Sequence, residues 1–216
     1  PICPLMSRPS SQCELADEVL HGMTVEVLEE TLPGWFLVRA PYRYEGYAPA
    51  AGLLFGESYA SRWGTLSKRV VRKPICDVLS GPAVTCFPLE ALTRGALVVP
   101  VGEPDANGWQ RVELADGREG YTKSSFLMEY CETPRFDQEE ALREAVIQTA
   151  LSYMDTHYRW GGKTPMGIDC SGLVSMAYLL NGVVIYRDAG IREGFPVHAI
   201  PREEMRPGDL LFFPGH

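Results

Sequence analysis

No run of lysines or arginines occurs in the sequence, and its formal net charge is −8. Attraction to nucleic acid phosphates rests on basic clusters, so no nucleic acid partner is expected, and no binding to anionic lipid. No apolar stretch reaches the about 18 residues that span a bilayer as a helix. The opening residues, PICPLMSRPSSQCE, lack the charged and apolar regions of a signal peptide. The expected setting is the cytoplasm, with a secreted or cell-envelope protein as the alternative if a signal has been cut away. Cys-x-x-Cys and His-Glu-x-x-His are both missing, so the common zinc signatures fail. No glycine-rich phosphate loop is read either. No metal and no cofactor is therefore expected. Histidine is scarce, with four in the chain, at positions 21, 157, 198 and 216.

What is present is ordinary globular material, 45% hydrophobic and 22% charged over 216 residues, enough for one to three domains. Its first half repeats. ICPLMSRPSSQC at 2–13 matches ICDVLSGPAVTC at 75–86, with Ile, Cys, Ser, Pro and Cys in register. Gly22 and Gly95 open GMTVEVLEE and GALVVPVGE. Gly34-Trp35 is matched by Gly108-Trp109, and Glu-Gly-Tyr at 45–47 by Glu-Gly-Tyr at 119–121. The segments between these marks read as short half-buried strands broken at Gly, Pro, Asn and Asp, with Ala115-Asp116-Gly117 as a hairpin turn. Several strands at this spacing predict small barrels. The paired cysteines, Cys3/Cys13 and Cys76/Cys86, read either as inherited repeat positions or as one disulfide in each barrel.

The texture changes after Pro134. Leu142, Ala145, Val146, Thr149, Ala150 and Tyr153 recur with a helical period, and Asp137 with Glu140 fits a capping-box variant. A second helix is predicted from Cys170, with Asp169 as N-cap and Gly182 as its stop. Its buried stripe is expected at Leu173, Val174, Ala177, Tyr178 and Leu180. MRPGDLLFFPGH then reads as a turn and a buried strand. Helices followed by strands, without alternation, indicate an α+β domain. A buried strand needs partners on both sides, so the fold is expected to be incomplete where the sequence stops.

Cys170, in the first turn of the second helix, has two readings. It packs as a small apolar residue, as free cysteines commonly do. Alternatively the orphan N–H groups and the positive end of the helix dipole stabilise a thiolate there. Backbone N–H groups at that place can also donate to an oxyanion, and Gly167 and Gly172 let a substrate approach.

Four motifs in order bear on the choice: Tyr158-Arg-Trp-Gly-Gly, Asp169-Cys-Ser-Gly-Leu-Val, Arg187-Asp-Ala, and Arg206-Pro-Gly-Asp-Leu-Leu-Phe-Phe before His216. Residues 158–216 resemble the NlpC family of papain-like cell-wall peptidases. The repeats ahead of them resemble bacterial SH3-like domains. The combination is similar to a subgroup of γ-D-glutamyl-L-diamino acid endopeptidases. The resemblance implies a multidomain chain: two small all-β SH3-like barrels at 1–56 and 70–132, a connector at 57–69, and an α+β papain-like catalytic domain at 133–216, truncated. It implies Cys170 as nucleophile, His216 as general base and Tyr158 as a contributor to the oxyanion hole. His157 is the reserve base. Asp169, Ser171, Asp188 and Ala189 are the implied substrate contacts, although many relatives carry Ser where Ala189 stands. The third member of the catalytic set would follow His216.

From the first barrel, Glu14 and Tyr47 are the nearest matches to the residues that hold the free amine of L-Ala, with Tyr44 as a substitute for Tyr47. Glu14 stands where the second repeat has Phe87. The expected substrate is a murein peptide of the form L-Ala-γ-D-Glu-diamino acid, the third residue being diaminopimelate or lysine. Oligomeric state is not readable. The alternatives are a non-catalytic wall-peptide-binding module, or an acyltransferase on a papain-like fold.

Overall fold

A computed structural model describes residues 2–213 of the chain, which divides into two compact units. The first comprises residues up to Pro41 together with Glu45–Tyr130. The second joins Tyr42–Tyr44 to the chain from Cys131 onward.

The first unit holds two antiparallel sheets. The first is built from β1 (Ile2–Met6), β2 (Leu15–Leu20), β3 (Glu26–Leu32), β4 (Trp35–Arg39) and β5 (Glu45–Pro49), in the order β2-β1-β5-β4-β3. A helix, α1 (Glu57–Thr65), follows. The second sheet is built from β6 (Arg69–Val71), β7 (Ile75–Leu79), β8 (Pro88–Thr93), β9 (Leu97–Val101), β10 (Trp109–Glu113), β11 (Glu119–Lys123) and β12 (Leu127–Glu129). Its order, β12-β6-β9-β10-β11-β7-β8, contains β8-β7-β11-β10-β9, the pattern of the first sheet repeated. The strands form because apolar residues alternate along them. Leu5, Val19, Val38 and Ala48 close the first core, and Val78, Leu92, Val98 and Val112 the second. Each buried Leu or Val among them contributes about 1.5–3 kcal/mol by leaving water.

The repeat marks have physical causes. In each Glu-Gly-Tyr the glycine lets β5 or β11 lie against the first strand of its own repeat. A Cβ on Gly120 would stand 2.6 Å from Val78 Cγ1 and 2.8 Å from Leu79 O, and one on Gly46 2.9 Å from Leu5 Cβ. Ala115-Asp116-Gly117 closes the β10–β11 hairpin as expected. None of the six cysteines is in a disulfide. Cys3 and Cys76 are core residues of the two sheets, whereas Cys13 and Cys86 are half-buried turn residues. Burial pushes the Cys3 thiol up to about 11 and raises that of Cys76 as well.

The connector is more than a tether. Trp63 of α1 is 3% exposed and its Nε1 donates to Gly22 O at 2.8 Å. Arg62 makes two bonds to the Glu113 carboxylate, at 2.5 and 2.8 Å. His21 joins the same unit together, its carbonyl accepting from Leu97 N–H at 2.8 Å and its Nε2 from Ala115 N–H at 3.1 Å. Burial, first of all, pushes the His21 imidazole down to about 4.

The second unit contains α2 (Glu139–Leu151), the short ribbon β13 (Lys163–Thr164) with β14 (Gly167–Ile168), and α3 (Cys170–Leu179). α2 and α3 pack together, with Asn181 Nδ2 bonded to Ala177 O at 2.8 Å and Thr149 Oγ1 at 2.9 Å. Lys163 is 1% exposed and donates to the Tyr42 hydroxyl at 2.6 Å.

Three expectations are corrected here. Asp137 does not cap α2: the helix starts after Gln138, whose side chain makes no cap bond, and Glu139 and Glu140 face the helix dipole instead. The buried stripe of α3 is carried by Gly172, Met176 and Ala177 within the helix, followed by Leu180 at its C-cap. Leu173, Val174 and Tyr178 are half-buried. The run Leu211–Phe213 is exposed and forms no strand. Among the described residues no strand lies beside it, and an extended segment without a neighbour has no ladder to join.

Candidate active site

Asp169 sets the start of α3. Its backbone is extended, at φ −96° and ψ 176°, and its Oδ1 accepts from the Gly172 N–H at 2.6 Å. This is the expected N-cap, a device worth about 1 kcal/mol. It leaves Cys170 as the first residue of the helix, exposed, where the dipole favours an anion.

The Tyr158–Gly162 segment is laid beside this helix start by backbone bonds. Tyr158 forms a parallel bridge with Ile168. Ile168 N–H donates to His157 O and Arg159 N–H to Ile168 O, both at 3.1 Å. Gly161 N–H donates to Asp169 Oδ2 at 2.8 Å, and Asp169 N–H to Gly162 O at 3.1 Å. The approach is so close that only glycine fits: a Cβ on Gly172 would fall on Gly162 O, and one on Gly162 on Gly167 O. Tyr158 and Trp160 remain exposed. The Tyr158 phenol is raised, by partial burial first and then by the charges of Cys170 and Asp169.

The polar centre of the arrangement is a residue that the sequence reading passed over. Arg187 is 1% exposed. Its Nη1 reaches Ser171 Oγ at 2.7 Å and Asp169 Oδ1 at 3.2 Å, and its Nη2 reaches Asp169 Oδ2 at 3.3 Å. The signal for it was an arginine directly after the largely apolar run Val183–Tyr186, inside a motif read for Asp188 and Ala189 alone.

The structure thus brings together Cys170, Asp169, Ser171 and Tyr158 in the second unit. Asp188 and Ala189 are exposed on the same unit, with the Tyr186 hydroxyl bonded to Asp188 Oδ2 at 3.3 Å. His157 and His198 are exposed. His216 lies outside the described residues. Glu14 and Tyr47 belong to the first unit. Tyr47 is half-buried in β5, and Glu14 is exposed. Phe87, at the position of Glu14 in the second repeat, is 71% exposed, so neither repeat uses that position for its core. Tyr44, the substitute for Tyr47, belongs to the second unit, its ring 6.5 Å from that of Tyr186. Among the described residues, no three His, Cys, Asp or Glu side chains gather as a metal site, and no helix is long and apolar enough to cross a membrane.

The chain is similar to known proteins. The NlpC/P60 family model matches residues 155–216, and the bacterial dipeptidyl-peptidase Sh3 domain model matches residues 5–53. Dipeptidyl-peptidase 6 of Lysinibacillus sphaericus is 45% identical over 214 residues, covering 98% of this chain and 79% of that protein. The gamma-D-glutamyl-L-lysine dipeptidyl-peptidase of Bacillus subtilis (strain 168) is 38% identical over 76 residues, 35% of this chain and 25% of that protein. Among solved structures, an NlpC/P60 family protein from Bacillus cereus ATCC 10987 superposes with a TM-score of 0.74 at 22% identity. The superposition covers 90% of this chain and 64% of that one, and at this identity the likeness is one of fold.

Proposed function

The chain belongs to the NlpC/P60 family, and on that premise we propose that it is a cysteine peptidase hydrolysing the γ-D-glutamyl bond to the diamino acid of murein peptides with a free N-terminal L-Ala. The observation that carries this reading is the exposed Cys170 as first residue of a helix capped by Asp169. The Cys170 thiolate attacks the γ-glutamyl carbonyl, forming a tetrahedral oxyanion. N–H groups of the first turn of α3 and the Tyr158 hydroxyl donate to that oxyanion. His216 protonates the leaving amine, and water hydrolyses the thioester. Ser171, Asp188 and Ala189 line the substrate.

The second sheet is proposed as a further SH3-like domain, because its strand order repeats that of the first. The proposed division is 1–56, 57–69, 70–132 and 133–216. In it the first SH3-like domain reads the amino end of the peptide, with Glu14 and Tyr47 holding the ammonium. Such a charge-assisted contact is worth roughly 1.5–3 kcal/mol, or about one to two factors of ten in binding. Six cysteines without a disulfide suit a reducing compartment, and the cytoplasm is the proposed setting. The test compares L-Ala-γ-D-Glu-diaminopimelate with its N-acetylated form. Preference for the free amine, reduced in Glu14→Gln, is expected. Equal cleavage of both forms would exclude the amine-reading role.

A further inference from the structure

We propose that Arg187 is a positioning residue for the nucleophile: its buried guanidinium cancels the charge of Asp169 and clamps the Gly161–Gly162 turn to the first turn of α3. The inference rests on Cys170 being the reacting thiol.

Asp169 has no acceptor capacity to spare. A carboxylate offers about four lone-pair sites. Oδ1 already receives Gly172 N–H at 2.6 Å, Ser171 Oγ–H at 3.2 Å and Arg187 Nη1 at 3.2 Å, and Oδ2 receives Gly161 N–H at 2.8 Å and Arg187 Nη2 at 3.3 Å. Its side chain is 10% exposed. Asp169 therefore serves Cys170 through the backbone it holds, and substrate contact falls to its neighbours.

A carboxylate beside Cys170 would oppose a thiolate if left alone, since like charges disfavour ionisation. Arg187 removes that opposition. Among the described residues, Tyr158 from the preceding segment, Asp169 at the cap and Arg187 behind the cap form one set of charged or titratable groups at this helix start. Arg187 is the cation of this set. Its planar fork also reaches Ser171 Oγ at 2.7 Å and Gly162 O at 3.5 Å. A lysine supplies the charge, but as a single point it cannot span three partners.

Two readouts test this in the full chain. The first is alkylation of Cys170 by iodoacetamide at pH 7, followed by peptide mass mapping with Cys13 as the internal reference. Arg187→Gln should slow Cys170 about tenfold, because Asp169 is left uncompensated, and leave Cys13 unchanged. The double variant Arg187→Gln/Asp169→Asn, which buries no charge, should return Cys170 to within about threefold of wild type. The second is steady-state cleavage by Arg187→Lys, where kcat should fall at least about tenfold with KM within about threefold. Wild-type alkylation in Arg187→Gln, or a double variant as slow as the single, overturns the proposal. Should Arg187→Gln fail to fold, the double variant decides alone, and a tenfold slower Cys170 there overturns it too. An effect of Arg187→Lys confined to KM would make Arg187 a substrate contact instead. Alkylation needs no substrate, so failure to cut murein peptides leaves this test standing and counts against the proposed function alone.

Discussion

Cys76 and Cys170 carry the same thiol into opposite surroundings, one inside the second sheet of the first unit and the other at the exposed start of α3. Cys76 is 1% exposed, and its Sγ lies 3.1 Å from Thr122 Oγ1. Burial raises its pKa, because the core disfavours the thiolate. Around Cys170, by contrast, glycines bring backbone close, an aspartate fixes the helix start, and an arginine is buried beside that aspartate. The first setting is made by apolar neighbours and asks only that the residue fit. The second is made by hydrogen bonds and charge, and it holds an exposed residue in one place.

The sharpest way to break this contrast is to remove each sulfur. Cys170→Ala should lower hydrolysis of the murein tripeptide at least about a thousandfold, as loss of a nucleophile does, while the thermal midpoint stays within about 2 °C. Retention of most wild-type turnover would end the assignment. Cys76→Ser should leave turnover intact but cost about 1–3 kcal/mol, since a hydroxyl replaces sulfur among apolar neighbours. Urea denaturation of the two variants side by side measures the difference.

A half-buried titratable group extends the comparison to pH. His21 has a folded value of about 4, below its ordinary 6.5, so the folded state resists its protonation. Its stabilising contribution is whole above pH 6.5 and is lost as pH falls towards 4, by up to about 3 kcal/mol. Urea midpoints of wild type and His21→Gln at pH 7 and pH 4.5 should show the acid loss shrinking in the variant. An equal loss in both proteins would mean that His21 is not the group responsible. The smallest expected effect is on Cys170→Ser stability, within about 0.5 kcal/mol of wild type, because an exposed helix-start position tolerates the exchange.

Several of these features could be read in the residues. The repeated Gly-Trp and Glu-Gly-Tyr marks signalled two copies of one strand pattern, and the strand order does recur. Asp169 before an apolar run signalled an N-cap, and it is one. Signals that depend on partners distant in sequence were not readable. Arg187 is buried because a carboxylate 18 residues earlier waits for it, and nothing local announces that. Trp63 and Arg62 turn a connector into a joint through Gly22, in the turn after β2 of the first sheet, and Glu113 of β10 in the second. The apolar run at Leu211–Phe213 misled for the same reason: hydrophobicity predicts a strand only where another strand stands ready to pair.

The central claim is that Cys170 cuts the bond between γ-D-Glu and the diamino acid. Incubation of L-Ala-γ-D-Glu-diaminopimelate with the full chain, followed by mass spectrometry, tests it most directly. The account predicts L-Ala-D-Glu and free diaminopimelate as products from wild type and intact tripeptide from Cys170→Ala. An uncut tripeptide with wild type, or the same products from both proteins, would contradict it.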